Sequence, residues 1–574
     1  MLRRRSQEWF EGRDELGPQH RAVLRTLGWT NEFFAGKPVI GIANSWSELN
    51  TCNLGLRVIA DAVKRGIIAA GGVPLEFNTM SLGEELMKPS AMLYRNLMAM
   101  EVEEQLRSQP IDGVVLLGGC DKTMPAQLMG AASANLPAIQ LCAGPKTSGR
   151  WKGQEIGSGT DLWRHWDAYR SGELSEADWQ ALEASYSASV GTCNTMGTAS
   201  TMALLSEVLG MMLPGAATIG ATDTRRLALA EQTGRRAVEL VVQGICPRDI
   251  MTRAAFENAL RVFLASGGST NAVIHLLAIA GRLRVPLSLD DFNQMARTTP
   301  LLLDLLPSGT QLMSHFDSVG GVPALMHELR GLLNLDCHDV SGLPLRARLH
   351  PAPPTAARII RPLDEPLQHG PALAVLYGNL APRGALIRVS TASPQLEQHR
   401  GPALVFDDYQ SMLEQIDDPA LPVTADSVLV LRNAGAVGVP GLPEWGAIPV
   451  PKKLLQAGVR DVVRISDSRM SGTSFGTIVL HITPEAAVGG PLALVRSGDL
   501  IELDIEGRRI ELLVPDAELE RRRASWVAPP KHRRGYPRLY AEHVLQPDQG
   551  CDFDFLRPES DADLEFVAPI VGRS

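Results

Sequence analysis

The chain is short of what a secreted, membrane-bound or nucleic-acid-binding protein needs. Seven cysteines among 574 residues are sparse and odd in number, unlike a disulfide scaffold. The most apolar window, residues 202–220, is broken by Glu207 and Pro214, so no membrane span is expected. No apolar segment follows the basic run Arg3-Arg4-Arg5, so no secretory signal is expected either. Positive charge is also in deficit: 55 Lys and Arg against 64 Asp and Glu give a net charge of -9, which argues against a nucleic-acid partner. Neither a G-x-G-x-x-G turn nor a Walker A loop occurs, so dinucleotide and ATP chemistry have no support. These absences leave a cytoplasmic protein with reduced thiols, some of them available as metal ligands.

What is present reads as an α/β protein. Hydrophobic residues make up 45% and charged residues 21%, ordinary for a globular chain long enough for more than one domain. Short aliphatic runs alternate with helical patterns. "PVIGIAN" (38–44), "GVPLEFNTM" (72–80) and "IDGVVLLGG" (111–119) predict strands, and 54–72 and 90–108 predict helices between them. That alternation predicts a mostly parallel sheet covered on both faces. The proline-rich, aperiodic stretch 349–371 predicts a linker, dividing the chain into an N-terminal α/β domain (1–360) and a C-terminal one (361–574). Eight short strand patterns follow, from "ALAVLYGNL" to "RIELLV", and predict a β-rich, barrel-like β/α domain.

Three cysteines share one context. Cys52 follows the first strand and precedes a helix, Cys120 follows the strand at 111–119, and Cys193 stands just ahead of a long helix. Ligands gather beyond the carboxyl ends of strands in such sheets, and helix N-termini favour thiolate. Three thiols in one pocket would hold a cluster one ligand short of the usual four, leaving an open iron. Zinc is the alternative, although no C-x2-C pair is present. Cys142, Cys246, Cys337 and Cys551 read as small buried hydrophobes.

Hard donors lie nearby. Asp121 and Lys122 follow Cys120 directly, and neighbouring loop side chains are expected to diverge. Glu84 sits in the loop after the strand at 72–80, and Glu444 in a Gly/Pro loop of the second domain. Carboxylates with waters suit Mg²⁺, although each alone is an ordinary surface charge. Gly472 to Gly476 matches the G-x-S-x-G elbow of serine hydrolases, but a strand rather than a helix is predicted after it. "SGGSTNAVIHLLAIAGRL" (266–283) opens a helix with small donors that either cap it or hold a carboxylate.

Taken together, these segments resemble the dehydratase family that includes the dihydroxy-acid, 6-phosphogluconate and sugar-acid (aldonate) dehydratases. "CDKTMPAQLMGAASANLPAI" and "SGGSTNAVIHLLAIAGR" look like the two family signatures. "SLGEELMKPSAMLYRNLMAMEVEEQL" and "GCDFDFL" look like the aldonate branch. The resemblance implies a [2Fe–2S] cluster on Cys52, Cys120 and Cys193, with Mg²⁺ on Glu84, Asp121 and Glu444. Lys122 matches the lysine that is carbamylated in this family, and Ser471 matches the catalytic serine. It further implies a small sugar-acid substrate such as the pentonate L-arabinonate, and a homodimer or homotetramer. Met124 and Ser474 depart from the expected Thr and Ala, at positions that touch no implied ligand.

Overall fold

The computed structural model describes residues 4–353, 356 and 358–572. Four strands form the first sheet: β1 (Val39–Asn44), β2 (Val73–Asn78), β3 (Gly113–Gly118) and β4 (Ala138–Cys142), all parallel in the order β2-β1-β3-β4. β1 and β3 are buried at every position, as central parallel strands must be when helices cover both faces. Gly113 packs against Val241 of the helix Thr224–Gln243, and Gly118 packs against Gln127 of the helix Thr123–Ala134. Positions of opposite parity on a strand face opposite ways, so these two helices lie on opposite faces.

A small hairpin, β5 (Gly149–Trp151) and β6 (Gln154–Ile156), leads into two helices, Thr160–Ser171 and Glu176–Ser185. The second half closes into a barrel. Its strands are β7 (Ala374–Gly378), β8 (Ala381–Ile387), β9 (Gln398–Phe406), β10 (Val428–Leu431), β11 (Arg464–Ser466), β12 (Ile478–Thr483), β13 (Leu500–Asp504) and β14 (Arg509–Leu512). Around the barrel the order is β10-β11-β12-β8-β7-β14-β13-β9. β9 to β12 run parallel, joined by short helices at Tyr409–Gln415 and Lys452–Gln456. Each of the eight expected strands forms one stave.

The stretch expected as a linker is tied down: Ile360 bridges to Leu303 and Gln368 to Leu301. Pro354, Thr355 and Ala357 of that stretch lie outside the described residues. The last segment returns to the first half, where Arg95 donates to the carbonyls of Gly550 and Cys551, and Arg282 grips Asp552. No helix among the described residues is long and apolar enough to cross a membrane.

Candidate functional site

The chain leaves β1 for β2 on one side and returns to place β3 on the other. That reversal opens a crevice beyond the carboxyl ends of β1 and β3. Cys52 lies on the turn after β1 and Cys120 lies two residues beyond β3. The two loops are latched by Asn53, whose Oδ1 accepts from Gly119 N at 2.8 Å and whose amide donates to Ser45. Cys193 joins them because Thr192 pairs with Gly144 and Lys146, extending past the end of β4. Cys120 itself has φ +66°, a left-handed conformation that costs a residue other than glycine roughly 1–2 kcal/mol. Such strain persists where the surroundings dictate how a side chain is aimed.

The three thiols are free of disulfides, and Cys52 stands next to Cys120. The expected lowering by helix N-termini is not observed at Cys120 or Cys193. Cys120 is held well above the usual thiol range, first by the neighbouring Cys52 thiol and then by burial. Burial, followed by the charge of Cys52, pushes Cys193 up to about 12. At these two positions burial and neighbouring acidic groups favour the neutral thiol.

Beside the thiols stands a cluster of hard donors. Oxygens of Glu84, Asp121 and Glu444 lie within 4.8 Å of one another. Lys122 is wholly buried at their focus: its Nζ contacts Asp121 and lies 3.0 Å from Glu444 and 3.1 Å from Glu84. Arg469 closes the far side, donating to Glu444 at 2.7 Å, to Ser90 at 2.8 Å and to the carbonyl of Leu442 at 2.6 Å. Burial raises the Glu84 carboxyl above its ordinary range. Burial acts likewise on Glu444, but Lys122 and Arg469 outweigh it and hold that carboxyl low. The expectation that Cys120 and Asp121 diverge is only partly met. Oδ2 of Asp121 turns to Lys122, while Oδ1 accepts from the Cys120 thiol at 3.3 Å.

This donor set suits a hard divalent cation on two counts. Three carboxylates face two cationic side chains, leaving one net negative charge in a recessed site. Glu84 Oε2 is also buried with no aligned hydrogen bond, although Lys122 stands 3.1 Å away. Oxygen-only ligation favours Mg²⁺, and a triad of thiols favours an iron–sulfur cluster with one open position.

Glu444 and Ser471 come from loops after β10 and β11. These loops are stitched together where Trp445 bridges Met470 and Gly446 N donates to the Arg469 carbonyl. Ser471 Oγ lies 2.9 Å from Thr473 Oγ1, which accepts the indole N–H of Trp163 at 3.1 Å. With that acceptor occupied, the Thr473 proton is free to point at Ser471 Oγ. The Thr473 backbone N–H adds a second, longer bond to the same oxygen at 3.4 Å. β12 follows this loop, so the helix a nucleophile elbow requires is absent and the G-x-S-x-G match at Ser474 is incidental. The helix at Asn271–Arg282 does reach a carboxylate, through a side chain rather than backbone N–H groups: Asn271 Nδ2 donates to Glu444 at 2.9 Å.

Cys52, Cys120, Cys193, Glu84, Glu444 and Ser471 all line one cavity of about 760 Å³, together with Asp121. Lys122 lies buried behind it. Sequence reasoning missed Arg469, Thr473 and Trp163. Arg469 carried a signal, a lone cation among small residues two places before Ser471; Trp163 carried none.

Residues 37–348 match the family described as dihydroxy-acid/6-phosphogluconate dehydratase N-terminal, and residues 358–551 match its C-terminal counterpart. The chain is 51% identical to the 6-deoxy-6-sulfo-D-gluconate dehydratase of Pseudomonas putida, over 96% of each chain. It is also 51% identical to the L-arabonate dehydratase of Azospirillum brasilense, over 96% of this chain and 97% of the relative. Against dihydroxy-acid dehydratase 1 of Nocardia farcinica the identity is 40%, over 96% and 98%. The chain belongs to the dihydroxy-acid/6-phosphogluconate dehydratase family.

Proposed function

We propose that this chain is an aldonate dehydratase, converting a pentonate such as L-arabinonate to the 2-keto-3-deoxy acid and water. The observation that carries the reading is the single cavity shared by three thiols, three carboxylates and Ser471. The higher identity to relatives named for sugar acids than to the dihydroxy-acid enzyme supports the aldonate branch. On this reading Cys52, Cys120 and Cys193 hold a [2Fe–2S] cluster. Glu84, Asp121, Glu444 and a carbamylated Lys122 hold Mg²⁺. When bound, the two centres supply Lewis acidity, iron toward the C3 hydroxyl and magnesium toward the carboxylate and the C2 hydroxyl.

The chain's own groups then carry the proton. Ser471 Oγ, as alkoxide, takes the proton from C2, and the C2–H electron pair becomes the C2–C3 double bond. The C3–O bond breaks, and the leaving hydroxide takes up the proton that Ser471 accepted, so that water departs and the alkoxide is restored. The resulting enol tautomerises to the 2-keto acid. An isolated serine is far too weak a base, so its pKa has to be lowered by nearby positive charge and by donors to its oxygen. Thr473 supplies such donors, and Arg469 and Asn271 hold Glu444 in place beside it.

The test is a substrate panel on protein reconstituted anaerobically with iron, sulfide and magnesium, read by 2-keto acid formation. Turnover of aldonates well above that of a branched dihydroxy acid is expected. No product from any aldonate while the cluster is intact would overturn the reading.

A further inference from the structure

The cavity extends well past the acid-handling groups, and the helix Thr160–Ser171 shows which way. Trp163 on its first turn bonds Thr473 beside Ser471. Asp167 lies four residues on, so it sits on the same face about 6 Å further along the helix. Both line the cavity, as do Trp166 and Arg464, and both tryptophans are 39% exposed to it. A substrate with C2 at Ser471 therefore sends its last carbons toward Asp167.

The charges at this end are nearly all committed. Arg170 pairs with Asp417 at 2.6 Å, Arg464 with Asp461 at 2.7 Å, and Arg460 with Glu173. Arg164, over the Phe475 ring, is taken by Asp161. Across the rim stand Glu85 and Lys88, the lysine donating to the Glu84 carbonyl at 3.3 Å. Asp167 is the least committed carboxylate, since the Arg170 it pairs with is shared with Asp417. Its hydrogen bond among the described residues is the 3.4 Å contact to Arg170, and burial raises its carboxyl while Arg170, Arg464 and Arg460 oppose that rise. Arg464, 7% exposed at its side chain, keeps a buried Nε–H with no partner. One free acceptor and one free donor between aromatic faces match a hydroxyl, which both donates and accepts. They do not match an added anion, which would compete with Asp167, Asp417, Asp461 and Glu173 for arginines already paired.

Resting on the dehydratase reading, we propose that Asp167 and Arg464 form a tail subsite. It selects aldonates ending in an uncharged hydroxymethyl group over those bearing phosphate or sulfonate on the last carbon. Discrimination comes from repulsion of the wrong tail as much as from attraction of the right one. The test compares kcat/KM for D-gluconate and 6-phospho-D-gluconate in the metal-loaded wild type, Asp167→Asn and Asp167→Glu, each first checked for a native melting transition. The wild type should prefer the neutral acid by on the order of tenfold or more. Asp167→Asn should narrow that ratio about tenfold, through KM for the phosphorylated acid, and Asp167→Glu should restore it. Equal use of the two acids by the wild type, or an unchanged ratio in Asp167→Asn, would overturn the subsite. Turnover of neither acid, nor of L-arabinonate, by folded protein with its cluster intact would overturn the dehydratase reading and the subsite with it.

Discussion

Each charged residue at the carboxylate cluster serves several partners, and this sharing sets the consequences of losing one. Arg469 is wholly buried and touches Glu444, Ser90 and the Leu442 carbonyl. Arg469→Met leaves Glu444 and Glu84 facing each other with only Lys122 between them. Breaking a buried pair in this way costs about 3–5 kcal/mol, to be read from the urea midpoint at constant m-value. Ser471→Ala changes no buried charge. It should lower kcat by about 10²–10⁴-fold with iron and magnesium content unchanged by metal analysis, whereas parallel loss of metal would show that Ser471 holds a centre rather than a proton. Much of this residue-level picture was legible in the chain. Cys52, Cys120, Cys193, Glu84, Asp121 and Glu444 were named from strand-end context and family likeness, and all reach one cavity. The burial of Lys122 was not legible, because nothing local to "CDK" announces that two distant loops close over it. Cys120 and Cys193 went the opposite way from expectation because the approach of Cys52, 68 residues from Cys120, and the burial of Cys193 are set by the fold rather than by local sequence.

At the scale of elements, the sheet is held to its helices by close backbone contact as well as by side chains. Helices Leu56–Ala69 and Thr224–Gln243 approach so closely that a Cβ on Gly66 would stand 1.9 Å from the Glu231 carbonyl oxygen. A Cβ on Gly234 would likewise lie 2.2 Å from that of Val63. Each oxygen belongs to the backbone and can yield only if the helices part. Gly66→Ala and Gly234→Ala should therefore each destabilise by about 1–3 kcal/mol, despite alanine's better helix propensity, in thermal or urea unfolding. Unchanged stability in either variant would show that the helices slide apart freely. Three strands of the first sheet and all eight of the barrel were readable because β-branched and aliphatic runs stand between Gly, Pro and Asp turns, whereas β4 went unread. Barrel closure was less so: β8 pairs β12 and β13 pairs β9, contacts that local pattern does not encode. The helix bearing Trp163 and Asp167 went unread as part of the site for the same reason, since its link to Thr473 spans 310 positions.

The whole molecule carries buried ionisable groups that do not face the cavity, and they give stability a definite pH profile. Burial, reinforced by Asp467, pushes Glu485 up to about 8, and burial pushes Asp467 up to about 6. A carboxyl raised on folding binds more protons native than unfolded, so stability falls as pH climbs from the ordinary carboxyl range through those values. Burial, then Arg469, lowers His481 to about 3; the unfolded chain then binds the extra proton, and stability rises with pH from about 3 to 6.5. The two trends oppose each other up to about pH 6.5, and above that value only the carboxyl trend remains. Above it, melting temperature should decline toward pH 8.5, less steeply in Glu485→Gln; an equal decline in both proteins would show that Glu485 is not the source. Long-range ties such as Arg282 to Asp552, 270 positions apart, bind the chain's end to its first half and make this a property of the entire fold. On the proposed reading, two metal centres meet in this one cavity, divided between soft and hard donors. That claim is tested most directly by anomalous diffraction at the iron edge from anaerobically grown crystals of reconstituted protein. The account predicts iron bound by Cys52, Cys120 and Cys193 and none among Glu84, Asp121 and Glu444. Iron among the carboxylates, or three thiols without iron, would contradict it.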